Sequence, residues 1–135
     1  MRLLSFLSDI ERAVIAGAPA GNNAWDATRM VNFHHGLARL TLKPRSPGQG
    51  IAAGGSIFLQ SFTLADGSLC LKASLNWNGC EAVPVLAVYS TPTLNWKNEA
   101  GRIATGWLAG PPAEATVTQA DLHAAPQAER NAATG

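Results

Sequence analysis

This chain is short of charge. Charged side chains make up 14% of its 135 residues, and ten basic and nine acidic residues leave a net charge of +1. No block of like charges occurs. A protein held on nucleic acid by counterion release needs a dense basic patch, so no nucleic-acid partner is expected. No run of 18 apolar residues is present, which excludes a membrane-spanning helix, and no membrane partner is expected. Two cysteines, Cys70 and Cys80, are too few for a disulfide framework. The glycine-rich stretch 44–55 lacks a lysine followed by serine or threonine, so it is not a phosphate-cradling loop. No nucleophile-elbow pattern surrounds any serine.

Apolar residues are plentiful, at 47% of the chain. That is enough for one folded domain with a core of its own. Residues 1–110 read as a single α+β domain. Residues 111–135 read as a loosely ordered tail, because they hold eight alanines and no aromatic residue. Asp9, Glu11 and Arg12 break the N-terminal apolar stretch too early for a signal peptide, so a cytoplasmic protein is expected.

The strongest local signals are Asp66-Gly67 and Asn78-Gly79, dipeptides that favour the mirror-image turns of β-hairpins. Between them Leu69-Cys-Leu-Lys-Ala-Ser-Leu-Asn-Trp77 alternates apolar with polar almost without fault, the period of a half-buried strand. A two-residue turn at Asp66-Gly67 pairs Leu64 with Leu69, Phe62 with Leu71, Gln60 with Ala73 and Phe58 with Leu75. A two-residue turn at Asn78-Gly79 pairs Trp77 with Cys80, Leu75 with Ala82, Leu71 with Leu86 and Leu69 with Val88. Directly opposed residues share a face. The two registers therefore place Phe58, Phe62, Leu64, Leu69, Leu71, Leu75, Trp77, Ala82, Leu86 and Val88 on one apolar side, with Gln60 as its polar exception. They place Cys70 and Cys80 on opposite faces, which argues against a bridge between them and for two reduced thiols.

Elsewhere the periodicity predicts a helix over 2–16 (Leu3, Leu7, Ile10 and Val14 at helical spacing) and a loop over 17–24. A short helix is predicted over 24–34, capped by Asn23 and ended by Gly36, with Trp25, Met30, Val31 and Phe33 available for burial. A strand follows over 37–43, then a connection over 44–55. Leu94 and Trp96, with a loop at 98–101 and a return over 102–108, suggest a third hairpin in which Trp96 faces Ile103. The fold expected is an N-terminal helix, or two, packed on a curved antiparallel β-meander of five or six strands, with barrel-like closure as its extreme form.

Candidate chemistry is sparse. Adjacent His34 and His35 point about 100° apart on a helix and so do not chelate together, and no ligand-like spacing surrounds them. No metal and no cofactor are expected. Asp26 with His34 or His35 is the weak catalytic candidate, and it would serve a small hydrolase or isomerase at the open end of the sheet. Basic residues of the sheet region outnumber acidic ones, and basic residues interleaved with aromatics on an exposed sheet would suit single strands of nucleic acid. The registers above put Phe58, Phe62 and Trp77 on the core side instead. The reading that follows is a non-catalytic binding module, expected to form a homodimer, whose cupped sheet, lined by Phe58, Gln60, Phe62 and Trp77, takes a small, largely apolar ligand or a protein partner. A purely structural protein with a filled core is the remaining alternative.

Overall fold

The computed structural model describes residues 3–18, 25–45 and 54–112. The order of elements is α1 (Leu3–Gly17), β1 (Trp25–Asn32), a single 3-10 turn (Phe33–His35), β2 (Leu37–Pro44), β3 (Gly55–Thr63), β4 (Leu69–Trp77), β5 (Val85–Tyr89) and α2 (Trp96–Leu108). The five strands form one antiparallel meander in the order β1-β2-β3-β4-β5, open at both edges. Both helices lie on the same side of it. The expected α+β architecture of helix and meander is present, with five strands, no barrel closure and a second helix at the C-terminal end.

α1 forms where the spacing predicts it. Leu3, Phe6, Leu7, Ile10 and Val14 are buried and repeat at three- and four-residue intervals, which gathers them into one stripe. They pack on Ala38, Leu40, Leu42, Ile57 and Leu59 of the sheet. The helix is also tied to the edge strand by charge. Arg29 of β1 meets Glu11 at 3.3 Å and donates to Ser8 Oγ at 3.1 Å.

Residues 25–32 are a strand, not the helix expected over 24–34. At 100° per residue, Trp25, Met30, Val31 and Phe33 scatter around a helix axis instead of forming a stripe. Read with period two, the same segment sends Trp25, Ala27, Arg29 and Val31 to the helix side, opposite Pro44, Leu42, Leu40 and Ala38. Trp25 is buried there, whereas Met30 and Phe33 are among the most exposed large apolar residues. Gly36 does end a helical turn, but a short one. Its φ of 60° closes the 3-10 turn that Asn32 opens by accepting from the His35 backbone N–H. Asn23, the expected cap, lies outside the described residues, as do most of the loop over 17–24, residues 46–53 of the connection and residues 113–135 of the tail.

The first hairpin is one residue out of the expected register. Its loop holds Ala65-Asp66-Gly67: Leu64 N–H donates to Ser68 C=O at 2.8 Å and Gly67 N–H to Leu64 C=O at 2.9 Å, with Gly67 at φ 86°. A three-residue loop with glycine in the left-handed position is the next most common hairpin after the two-residue turn. Asp66 holds it further by accepting from the N–H and hydroxyl of Ser68. Because side chains alternate, one residue of slip turns a whole strand over. Ile57 now opposes Leu75 and Leu59 opposes Ala73, while Phe58, Gln60 and Phe62 oppose Ser74, Lys72 and Cys70. Ile57 and Leu59 are fully buried. Phe58, Gln60 and Phe62 lie on the other face of the sheet.

The second hairpin slips by two residues, which changes partners and keeps faces. Asn78-Gly79 does turn the chain, with Cys80 N–H donating to Trp77 C=O at 3.2 Å, but regular pairing resumes only where Leu75 N–H meets Pro84 C=O. Leu71 opposes Val88 and Ala73 opposes Leu86, so Leu71, Leu75, Trp77, Leu86 and Val88 remain on the core side. Ala82 and Leu64 fall in connections. Cys70 and Cys80 are not bridged by a disulfide, as expected.

The third hairpin is instead helix α2. Asn95 caps it, accepting from the N–H groups of Lys97 and Asn98 at 3.0 and 3.2 Å, and Glu99 in the first turn favours the positive end of the helix. Trp96, Ala100, Ile103, Ala104 and Trp107 form its inner stripe. Gly101 and Gly106 interrupt the helical signal. Gly106 faces Leu75 and Leu86, where an added Cβ would make ordinary van der Waals contact at 3.4 and 3.7 Å.

Candidate functional site

One face of the sheet is sealed. Leu40, Leu42, Ile57, Leu59, Leu71 and Ala73 have no exposed surface under the two helices. Tryptophans close its far end: Trp77 Nε1 donates to Trp107 C=O and Trp107 Nε1 to Asn76 C=O, both at 3.0 Å, and Trp25 packs edge-on to Trp107 with ring centroids 5.4 Å apart. Gly55 is required beside this cluster, since a Cβ there would meet the Asn76 carbonyl oxygen at 2.1 Å. The apolar cup expected from the sequence is therefore occupied by α1 and α2, and Trp77 serves as packing within it. At its rim a groove of about 260 Å³ remains between β4, β5 and the C-terminal end of α2, lined by Leu75, Trp77, Pro84, Leu86 and Gly106.

No described element packs on the opposite face. The registers arrange its side chains in rows that cross the strands. Phe62, Cys70 and Tyr89 form the first row. Asn32, Leu37, Gln60, Lys72 and Ala87 form the second, and Met30, Arg39, Phe58, Ser74 and Val85 the third. Thr28, Thr41, Ser56 and Asn76 follow, and Asp26 with Lys43 ends the face. Apolar and aromatic groups thus share the first three rows with two cations, and the remaining rows are polar.

The cations lie against the rings. The Arg39 guanidinium carbon is 5.4 Å from the Phe58 centroid and Lys72 Nζ is 5.6 Å from that of Phe62, distances at which a ring quadrupole attracts a cation. Met30 is 58% exposed and Phe62 39%. Beside Phe62 a shallow hollow of about 290 Å³ is lined by Thr63, Leu64, Cys70 and Lys72. Cys70 is 1% exposed and forms its floor. Gln60 is half-buried between the two phenylalanines, opposite Lys72 and Leu37, where the sequence placed it opposite Ala73.

Asp26, His34 and His35 do not converge. Asp26 stands at the start of β1, ion-paired to Arg45 at 2.8 Å with both side chains half or more exposed. The histidines lie past the other end of the strand in the exposed 3-10 turn. Seven or eight residues of strand at about 3.3 Å each keep them on the order of 25 Å apart. Among the described residues no group of three or more His, Cys, Asp or Glu side chains could hold a metal ion. The Asp66 carboxyl is held below its ordinary value by the side-chain and backbone hydrogen bonds from Ser68. It belongs to the hairpin loop.

Three of the four side chains expected to line a site, Phe58, Gln60 and Phe62, are together, but on the uncovered face. Arg39, Lys43, Met30, Lys72 and Tyr89, which share that face, are not among the side chains expected to line a site. The signal that could have found them is Ser68, which follows Asp66-Gly67 and completes the longer loop. No described helix is long and apolar enough to cross a membrane. In comparisons with known proteins, no family model matches the sequence, and neither a curated protein nor a solved structure is significantly similar to it.

Proposed function

We propose that this protein is a non-catalytic binding module and that it binds through the uncovered face of the sheet. The observation that carries this reading is the composition of that face. Phe58, Phe62, Met30, Leu37 and Val85 stand on it beside Arg39 and Lys72, although a sheet with one wet side ordinarily alternates to polar residues there. An exposed apolar patch rimmed by polar groups is characteristic of an interaction surface. The separation of Asp26 from His34 and His35 favours binding over hydrolysis or isomerisation.

The test is a fragment and short-peptide screen read by methyl NMR. Ligand-induced shifts gathered at Met30, Leu37 and Val85 support the proposal. Shifts gathered at Leu75 and Leu86 would transfer the function to the groove beside α2. Silence at every methyl group would count against both.

A further inference from the structure

We infer that two copies of this chain join their sheets through the outer edge of β1, antiparallel and about a twofold axis at Thr28. The inference goes beyond the binding role proposed for the uncovered face and concerns a different surface.

Both edges of the sheet are open, and the phase of the hydrogen bonds decides what each presents. Along an antiparallel ladder every second opposed pair exchanges N–H to C=O bonds. Ser61 N–H donates to Gly36 C=O at 2.9 Å, so the even-numbered residues of β2 bond β3. Leu37, Arg39, Thr41 and Lys43 then bond β1, through Asn32, Met30, Thr28 and Asp26. Trp25, Ala27, Arg29 and Val31 therefore direct their backbone N–H and C=O groups outward. Ser90 N–H donating to Leu69 C=O sets the phase of β5 in the same way and turns Val85, Ala87 and Tyr89 outward.

The two edges are not equally protected. β5 has five residues, follows Pro84, and its outward Ala87 carbonyl accepts from Arg102 of α2 at 3.3 Å. Short length, proline and a charged side chain are the usual means of blunting an edge. β1 has eight residues, pairs with β2 without a bulge and contains neither proline nor lysine. Arg29, its one cation, is drawn toward α1 by Glu11 and Ser8. Among the described residues nothing bonds the outward backbone groups of β1.

A second copy of this chain suits that edge. Centred on Thr28, antiparallel pairing sets Trp25 against Val31 and Ala27 against Arg29 of the other copy, so all four outward residues find partners. Thr28 meets its own copy on the uncovered side, and threonine pairs are favourable across strands. Sliding by two residues in either direction loses one of the four pairs. In one direction it also sets Arg29 against Arg29, a destabilising like-charge pair. Charge is balanced along the seam. Arg29 brings Glu11 at 3.3 Å and Asp26 brings Arg45 at 2.8 Å, so joining two copies buries no unmatched charge.

The helix layer agrees. Leu4, Ser8, Glu11 and Ile15 recur at steps of four and three residues and share one line along α1. Ser8 and Glu11 on that line reach Arg29, so Leu4, 43% exposed, lies on the side of α1 that faces the seam. An extended peptide could make the same backbone bonds, but it must be ordered as it binds, whereas β1 of a second copy is already held extended by β2. Pairing of β1 with β5 of another copy would leave edges free and grow a fibre, and the blunting of β5 opposes it.

Sedimentation velocity of the full chain at micromolar concentration tests the inference. A species of twice the 14.1 kDa chain mass is expected. Because Thr28 opposes itself, Thr28→Lys and Thr28→Glu should each weaken the dimer about fivefold at low salt. An equimolar mixture of the two variants should pair roughly tenfold more tightly than either alone, a rescue that requires residue 28 to lie at the axis. Ala27→Pro removes an outward N–H and should leave a monomer. Thr28 is at the surface, and circular dichroism checks that each variant is folded; if Ala27→Pro is not, the Thr28 mixture decides. A wild-type monomer throughout the micromolar range would overturn the inference, whether or not an extended peptide binds the edge. So would a dimer indifferent to the Thr28 and Ala27 substitutions, or one broken by Phe62→Ala instead, which would move the contact to the uncovered face. These outcomes are read as mass, so failure here leaves the binding role of the uncovered face standing.

Discussion

The two faces of this sheet are built from the same strands and differ in what they need. The covered face is aliphatic, dry and closed by Trp25, Trp77 and Trp107. The uncovered face carries phenylalanines as well, but mixes them with Arg39, Lys72, Gln60, serines and threonines. Aromatic content does not distinguish a core from a surface here. What distinguishes them is the company the rings keep. On the inside, the indole N–H groups of Trp77 and Trp107 are matched to backbone carbonyls, while that of Trp25 is buried without a partner among the described residues. On the outside, rings lie under cations that stay in contact with water.

The comparison can be attacked first where the covered face is most interlocked. Trp107→Ala removes a fully buried ring, its contact with Trp25 and the bond to Asn76 C=O. It should lower the unfolding free energy in urea by about 3–5 kcal/mol, and a loss below about 1 kcal/mol would mean that α2 does not seal this end. The sharpest contrast comes from neighbours on β3. Leu59→Ala should cost about 2–5 kcal/mol because it opens a cavity in the core. Phe58→Ala should cost clearly less, since its ring is only half-buried. Equal losses would erase the distinction between the faces, and a reversed order would restore the two-residue turn.

The loop that sets the register comes next. Gly67→Ala places a side chain at φ 86°, where Cβ costs roughly 1 kcal/mol, and a melt of the variant should show a correspondingly small loss. Because nothing lies within 4 Å of the added atom, a larger effect would point to a loop of different shape. The smallest effect concerns Asp66. Its carboxyl is depressed in the folded state, so it adds stability above its unfolded value near 3.8, and that contribution is lost as pH falls through the folded value. Ser68→Ala should return the Asp66 titration, followed by NMR, toward the ordinary carboxylate position. An unmoved titration would show that Ser68 does not hold the loop.

Much of the scaffold is legible in the chain itself. The stripe Leu3, Phe6, Leu7, Ile10, Val14 admits little but a helix, and Leu69–Trp77 admits little but a strand. Period and spacing are local properties, and these segments match one period only. α2 was legible too: Asn95 before Glu99 and the spacing of Trp96, Ala100, Ile103 and Trp107 form a helical pattern, which Gly101 and Gly106 obscure. β1 could be recovered by noticing that its apolar residues share no helical face.

The site was less legible. β3 reads Ile57-Phe58-Leu59-Gln60-Ser61-Phe62, with apolar residues on both sides, so alternation cannot choose which side faces in. That choice belongs to the hairpin loop, where Asp-Gly supports either two residues or three. It was made by the helices, which cover the face bearing Ile57 and Leu59, and by Ser68, whose bonds to Asp66 close the longer loop.

By itself, then, the sequence determined which segments are regular, where the chain turns and how the β4 side chains alternate, because each depends on contacts within a few residues. Only the tertiary structure decided which side of β3 is sealed by the helices and which is left uncovered by the described elements. Two registers one residue apart satisfy the same local rules, and the difference between them is the burial of Ile57 and Leu59 beneath α1 and α2, elements distant from β3 along the chain.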